Sequence, residues 1–346
     1  MIQQLVEALD SAQIDYPLAD GKTALMLACK IGHPMTAKVL LGAKADPMLR
    51  EDRSKEADGF SSIMHAALFG HTQCVATVLH NAGQTLDRAT RQALHQGLIN
   101  AHNGNNFTAL HLAALHGQRR VVQLLLRERA EVDSPNEKGE TPLHVSSKNG
   151  HAQVVCALLA SGAAVDKTDK MERTALHHCC VTSGGKDVAD ALMEVGASVD
   201  PLDKDQNTPL HLACKTGNHL TVDTLLKFKV GESAPSPAFQ STFRPISHPA
   251  SPGSSSRMPQ ADITLRNKDG QVAFMVATKE GHDTIKEKLQ PVRQNLIAQM
   301  PEINMAKQFR EARLAVKDYG LQRLKHEMGV PPHRATRTSP LVGTQA

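Results

Sequence analysis

Thr-Ala-Leu-His-Leu-Ala-Ala, at residues 108–114, is one copy of a phrase that recurs along the chain. Near-complete copies begin at Thr141, Thr174 and Thr208, so the threonines lie 33, 33 and 34 residues apart. Weaker copies occupy residues 23–29, 61–67 and 272–278. Self-similarity at a fixed period near 33 residues predicts an array of stacked structural repeats.

Each copy of the phrase leads to a glycine and then to an aliphatic run, as in Val121-Val122-Gln123-Leu124-Leu125-Leu126 after Gly117. The threonine suits a helix start, where its hydroxyl accepts an unpaired backbone N–H. Pro142 and Pro209 suit the first helical position. Glycine suits a chain reversal that needs a positive φ. Each unit is therefore predicted to be a pair of short antiparallel helices.

The units resemble ankyrin repeats, whose hairpin turn and two helices span about 33 residues with a T-P-L-H-x-A phrase. The resemblance covers roughly residues 2–290 apart from inserts, and implies an all-α solenoid of about seven stacked helix–turn–helix units with hairpin loops. It also implies that the phrase histidine bridges backbone groups, and that partner proteins bind hairpin tips and first helices on a concave surface.

Composition agrees with thin helical layers, because aromatic residues make up only 3% of the 346 residues and Trp is absent. A net charge of +4 gives no reason to expect nucleic acid as a partner. A signal peptide is not expected from the polar residues that follow Met1, and the sequence contains no apolar run of membrane-spanning length. With six scattered cysteines, this favours a cytoplasmic or nuclear location.

Breaks in the period define the expected organisation. Residues 1–19 form an N-terminal half repeat, and 20–230 hold repeats one to six with an insert at about 84–103, whose Arg88–Ile99 part is predicted to be helical. A Ser/Pro-rich insert at 231–260 is expected to be disordered. Its Ser-Pro steps are either phosphorylation sites or linker composition. Repeat seven follows at 261–290.

A basic helical tail is predicted at 291–330, before a disordered C-terminus at 331–346. Met305, Phe309, Ala312, Val316 and Tyr319 recur at helical steps. Residues 291–346 contain nine Lys and Arg against four Asp and Glu. The helix either docks on the last repeat, binds a partner or forms a coiled coil, or lies on a membrane surface, which is the least favoured of these.

No catalytic, cofactor or metal site is expected. His177-His178-Cys179-Cys180 suggests zinc, but adjacent helical residues point about 100° apart and cannot close one tetrahedron. In register with the other copies, His177 is the phrase histidine and the cysteines replace a small pair. Glycine-rich phosphate loops and hydrolase or metalloprotease motifs are missing from the sequence. An enzyme is therefore not expected.

Partner contacts are expected at the residue before each phrase and at the pair before each glycine, which the resemblance places on the solvent-facing side. Repeats two and three are apolar there and repeats four to six polar, which predicts a hot spot in repeats two and three. Alternatively, the 84–103 insert covers these rings and makes them core. The predicted partner-binding residues are Phe60, Leu68, Phe69, Phe107, Leu115, His116, Glu140, Lys148, Asn149, Arg173, Asn207 and Lys215.

The expected function is therefore a non-catalytic scaffold or adaptor that binds one or more proteins through the concave surface. Two alternatives stay open. One is a regulatory or inhibitory subunit that presents the basic C-terminal helix to an enzyme. The other is an accessory fragment of an enzyme or a pathogen effector.

Overall fold

The computed structural model describes residues 14–18, 20–51, 59–83, 87–182, 184–227 and 261–299. Their regular secondary structure is helical apart from two isolated bridges, Arg50 to Ser61 and His102 to Thr108. The chain divides into two compact units, residues 1–287 and 288–346. No helix within the described ranges has the length and apolarity needed to cross a membrane.

The helices follow one another as pairs, in the order predicted from the repeats. The first helices are α1 (Ala24–Ile31), α3 (Ser62–Leu68), α6 (Ala109–Leu115), α8 (Pro142–Lys148), α10 (Ala175–Cys180), α12 (Pro209–Thr216) and α14 (Ala273–Lys279). The second helices are α2 (Pro34–Gly42), α4 (Thr72–Asn81), α7 (Arg119–Arg127), α9 (Ala152–Ala160), α11 (Gly185–Glu194), α13 (His219–Lys227) and α15 (Asp283–Gln299).

Consecutive repeats are stacked side by side. Each first helix from α1 to α12 packs against the first helix of the next repeat, and the second helices from α2 to α13 do the same among themselves. This arrangement confirms the stacked repeats predicted from the 33-residue period and the all-α solenoid that the ankyrin resemblance implied.

The phrase residues act as predicted. The Thr108 and Thr208 hydroxyls accept the backbone N–H of the residue three positions on, which caps the first helix. Pro142 and Pro209 occupy the first turn. The turn glycine has a positive φ in repeats one to four, six and seven, for example 75° at Gly217.

The fifth repeat uses its glycines differently. Gly184 has a φ of −86°, so no left-handed turn is needed there. A Cβ on Gly185 would instead overlap the carbonyl oxygen of Cys179, so close backbone approach requires glycine at that position.

The core runs along the stack as a column of aliphatic side chains. The third residue of the phrase is at most 1% exposed in each of repeats one to six: Leu25, Ile63, Leu110, Leu143, Leu176 and Leu210. Truncating one such side chain to alanine typically costs about 2–5 kcal/mol. The small residues next to this column, including the fully buried Cys179 and Cys180, leave room for neighbouring first helices.

The insert after repeat two contains helix α5, which runs from Arg88 to Ile99 as predicted. The Asp87 side chain caps its N-terminus, and Leu98 and Ile99 are buried. Helix α5 packs against α4, the second helix of repeat two.

The expected boundary between repeat seven and the tail falls inside a helix, because α15 continues through Pro291 to Gln299. The periodic tail residues from Met305 onward, the Ser/Pro-rich insert and most of the N-terminal half repeat lie outside the described residues.

Candidate partner-binding face

The surface formed by the hairpin loops and the first helices is called the hairpin face below. Position 1 of a repeat is the first residue of its phrase, such as Thr108, and position 0 is the residue before it. The first helix ends near positions 8 and 9, where the second set of predicted contact residues lies.

Backbone and imidazole groups join neighbouring repeats at the base of this face. The Thr108 N–H donates to Nδ1 of His111 at 3.2 Å, so Nε2 carries the proton and donates to the Glu140 carbonyl at 3.1 Å. His144, His177 and His211 make the same bond to the carbonyls of Arg173, Asn207 and Gln271. The role that the resemblance implied for these histidines is confirmed.

These imidazoles are held neutral. Burial lowers the pKa of His111 to about 4 and that of His144 to about 4, because desolvation disfavours the charged ring. Since position 0 supplies the accepting carbonyl, its backbone is fixed by the stack while its side chain is free to vary.

A second series of bonds runs in the opposite direction, from the start of a second helix to the preceding repeat. The His71 and His151 rings bond the carbonyls of Lys30 and Leu115 at 3.2 and 3.0 Å. These bonds hold the ends of neighbouring first helices side by side, so the side chains there form one continuous surface.

Most of the predicted partner-binding residues are accessible on the hairpin face. Phe69, His116, Lys148, Asn149 and Lys215 are exposed. The remaining accessible ones are half-buried: Phe60, Leu68, Phe107, Leu115, Arg173 and Asn207. The apolar members come from repeats two and three, and the charged ones from repeats four to six. Ile31, at the end of α1, extends the apolar side into repeat one and is 61% exposed.

The Phe60 and Phe107 rings are half-buried. Phe60 lies edge-on to His65, with ring centroids 5.5 Å apart, and Phe107 lies tilted on His111 at the same separation. The insert meets the array through α4 and through bonds of His95 and Asn100 to Glu128 and Glu131, beyond the end of α7. These contacts place α5 on second-helix elements.

Glu140 corrects one expectation. It was predicted to face solvent at position 0 of repeat four, but it is only 6% exposed. Asn136 Nδ2 donates to its Oε2 at 2.9 Å, and Lys148 Nζ lies 3.4 Å from its Oε1. The carboxylate folds back over its own hairpin because that hairpin supplies a donor for it.

Glu140 belongs to a buried cluster between repeats four and five, the 4–5 cluster, with Asp169 and His178. His178 Nε2 lies 2.9 Å from Asp169 Oδ2. Single ligand atoms of all three side chains lie within 4.8 Å of one another. Burial would raise the pKa of Asp169, but the His178 bond and backbone N–H donors outweigh it and lower that pKa to about 2. Burial would also raise the pKa of Glu140, but Asn136, Lys148 and His178 lower it below its ordinary value, so both carboxyl groups are ionised at neutral pH.

A second cluster lies between repeats one and two, the 1–2 cluster. Glu51 Oε1 lies 2.8 Å from His65 Nε2 and 3.2 Å from Lys22 Nζ. Glu51 and His65 are buried, and Lys22 also pairs with Asp20 at 3.0 Å. This cluster contains its own cation.

The two clusters were missed from the sequence, although a signal was present. Position 5 holds Leu27, Leu112, Val145, Leu212 or Val276 in the other repeats, but His65 and His178 in repeats two and five. An imidazole at an otherwise aliphatic position indicates a local polar partner. Asn100 was also missed as a contact between repeats. Its side chain accepts the backbone N–H of Glu131, just as the Asp133 side chain accepts that of Ala164. Asn100 and Asp133 each lie eight residues before a phrase.

Comparison with known proteins identifies the repeats. A family model for ankyrin repeats matches residues 1–90, 89–169 and 158–234, which is well over half of the chain. The chain therefore belongs to the ankyrin-repeat family. This membership supports a role in protein interaction.

Similar curated proteins share only the repeats. NF-kappa-B inhibitor alpha of Homo sapiens is 34% identical over 113 residues, 33% of this chain and 32% of that protein. E3 ubiquitin-protein ligase XBAT33 of Arabidopsis thaliana is 30% identical over 127 residues, 33% of this chain and 24% of that protein. The chain thus covers a third or less of these relatives, whose names denote an inhibitor and a ligase.

Proposed function

We propose that this protein is a non-catalytic scaffold or adaptor that binds a protein partner through the hairpin face. The apolar side in repeats one to three is the main contact, and the polar side chains of repeats four to six orient the partner. We place it in the cytoplasm or nucleus, which is supported by six free, buried cysteines.

The observation that carries this proposal is the apolar end of three neighbouring first helices. Ile31 and Phe69 occupy position 9, and the half-buried Leu68 and Leu115 occupy position 8, at the ends of α1, α3 and α6, which pack side by side. Exposed apolar side chains grouped in this way are typical of interfaces, where a few anchors carry most of the binding energy.

The decisive variant is Phe69→Ala, because Phe69 is 47% exposed and contributes little to the core. Leu220→Ala is the matched control: Leu220 is 43% exposed but lies on a second helix, α13. Proteins captured by the wild-type chain are identified, and the binding of each is measured with both variants. We expect at least a tenfold loss with Phe69→Ala and no change with Leu220→Ala. Equal binding by both variants would exclude the apolar side as the interface.

Phe60→Ala and Phe107→Ala separate a contact role from a structural one. If these rings anchor the partner, binding is lost while the free energy of unfolding falls by about 1 kcal/mol, in keeping with half-buried side chains. A loss of about 3 kcal/mol or more apiece is typical of buried phenylalanine and would favour the alternative in which they form part of the core.

An inhibitory function is the second candidate, favoured by the similarity to a protein named as an inhibitor. In this version the array docks an enzyme and the basic C-terminal segment blocks it. Deleting residues 300–346 tests it and leaves α15 intact to Gln299. Partner binding survives this deletion in either case. If the protein is an inhibitor, the deletion also removes its effect on the activity of the partner.

A further inference from the structure

The 4–5 cluster brings two buried carboxyl groups and one imidazole together, without a buried lysine or arginine beside them among the described residues. The structurally equivalent 1–2 cluster shows what the arrangement requires. In both clusters the hairpin acid donates its backbone N–H to the position 0 carbonyl of its own repeat, Glu51 to Phe60 and Asp169 to Arg173. In both, a histidine at position 5 bonds that acid.

The third member of each cluster is position 0 of the preceding repeat, and here the charges differ. Lys22 puts an ammonium group beside Glu51, whereas Glu140 puts a second carboxylate beside Asp169 and His178. Lys148 is the nearest cation in the described part of the 4–5 cluster, but its side chain is 53% exposed and its contact with Glu140 is long, at 3.4 Å.

One ligand atom of each of the three side chains also lies within 4.8 Å of the other two. Asn136 Nδ2 holds Glu140 Oε2, and the backbone N–H groups of Met171 and Arg173 hold Asp169 Oδ1. Glu140 Oε1, Asp169 Oδ2 and His178 Nε2 are the atoms that a common ligand would take, in place of the Lys148 contact at 3.4 Å and the His178–Asp169 bond at 2.9 Å. Hydrogen bonds that fix the second atom of each ligating group are a usual feature of metal sites.

We propose that Glu140, Asp169 and His178 bind a divalent transition-metal ion, with Zn²⁺ as the probe. Two carboxylate oxygens and one imidazole nitrogen suit this class, while Mg²⁺ and Ca²⁺ prefer oxygen alone. In a tetrahedral zinc site the donors lie about 3.3 Å apart, which small rotations achieve from the present spacing. On binding, the bond from His178 Nε2 to Asp169 breaks, its proton exchanges with water, and His178 coordinates through Nε2 with Nδ1 protonated. Lys148 swings into solvent, and water completes the shell.

The site links the hairpin of repeat four to the first helix of repeat five. A bound ion would therefore stabilise this junction of the array, since a ligand that binds only the folded state raises its stability. This role does not depend on the proposed partner interface.

Isothermal titration of the full chain with ZnCl₂ tests the proposal. We expect one site, with affinity at least tenfold weaker in His178→Leu, which restores the aliphatic residue of repeats three and six. Lys148→Ala removes the competing ammonium and strengthens binding several-fold. His65→Leu, the same change in the 1–2 cluster, leaves binding unaltered, and MgCl₂ and CaCl₂ give no site.

All six thiols remain in every variant, so metal binding by cysteine must be told apart from binding by the 4–5 cluster. Absorption spectra of the Co²⁺-loaded chain make this distinction. We expect ligand-field bands without thiolate charge transfer. No zinc site in the wild-type chain, unchanged affinity in His178→Leu, or a thiolate band would each overturn the proposal. If His178→Leu fails to fold, as judged by circular dichroism, Glu140→Gln replaces it, since Gln keeps an acceptor for Asn136 and must also weaken binding tenfold.

Discussion

The junction between repeats one and two and the junction between repeats four and five share one backbone plan but stabilise it with different chemistry. Both put a hairpin acid, a position 5 histidine and a position 0 side chain in one place. Lys22 closes the first junction as an ion pair, while Glu140 adds a second carboxyl group to the second. The junctions also differ at position 4, where Met26 stands in the first and His144 bonds the Arg173 carbonyl in the second.

This difference teaches that the repeat fixes where side chains meet but not what they do there. Backbone hydrogen bonds set the register of both junctions. The side chain at position 0 of the preceding repeat then decides the outcome: Lys22 pairs with the acid inside the chain, whereas Glu140 adds a ligand for an external cation. Exchanging residues between the two junctions is therefore the most direct way to test the interpretation.

The largest effect is expected from Lys22→Glu, which gives the 1–2 cluster the charges of the 4–5 cluster. Glu51 and His65 are buried, so losing the ammonium and adding a like charge leaves Glu51 uncompensated. Removing one partner of a buried ion pair commonly costs 3–5 kcal/mol, and we expect about 3 kcal/mol here because Lys22 is partly exposed. Urea unfolding at pH 7 with EDTA measures the change.

Lys22→Met serves as its control, because it removes the ammonium without adding a carboxylate. We expect Lys22→Met to lower the free energy of unfolding by less than Lys22→Glu does. We expect a second zinc site in Lys22→Glu but not in Lys22→Met. Equal stability of Lys22→Glu and the wild-type chain would mean that the Lys22–Glu51 ion pair does not stabilise the fold.

A somewhat smaller effect is expected from protonation of His144 at low pH. Of the two junctions, only the 4–5 junction has a histidine at position 4. The folded pKa of His144 is about 4 and its unfolded value is near 6.5. The unfolded chain then binds more protons between these values, so stability falls as pH drops from about 6.5 toward 4. At pH 5 the loss from His144 is about 2 kcal/mol relative to neutral pH.

His144→Met copies Met26 into the 4–5 junction and removes this titration. Urea unfolding at pH 7 and pH 5 should show a pH-dependent loss about 2 kcal/mol smaller than in the wild-type chain. The variant is less stable at pH 7 because the Arg173 carbonyl loses its donor. An unchanged pH dependence would show that His144 does not stay neutral in the fold.

These contrasts also show how far the sequence predicts this molecule. The 33-residue period and the phrase predicted the paired helices, the Thr108 cap, the His111 bond and the helix from Arg88 to Ile99, because each depends on local spacing or on a fixed repeat. Residues whose partners lie in the next repeat were harder. The 4–5 cluster depends on the stacking register, which the pattern of a single repeat does not contain. Glu140 was missed for a different reason, because its donor Asn136 lies four residues away in the same hairpin but outside the phrase.

Which side chains contact a partner was predictable only in part, for a related reason. Exposure of Phe69, Lys148 and Lys215 follows from their place at the end of a first helix. Their energetic importance depends on a partner surface that this chain does not encode, so those assignments stay predictions until binding is measured.

The smallest effect is expected from Glu140→Lys, the reverse exchange, which gives the 4–5 cluster the charges of the 1–2 cluster. The new ammonium compensates Asp169, while Asn136 Nδ2 loses its acceptor, and these effects nearly offset. We expect the free energy of unfolding in EDTA to change by less than about 1 kcal/mol. Zinc binding should disappear, because one ligand has become a cation. A loss as large as that of Lys22→Glu would show that Glu140 is needed for the hairpin itself, and that charge alone does not distinguish the two junctions.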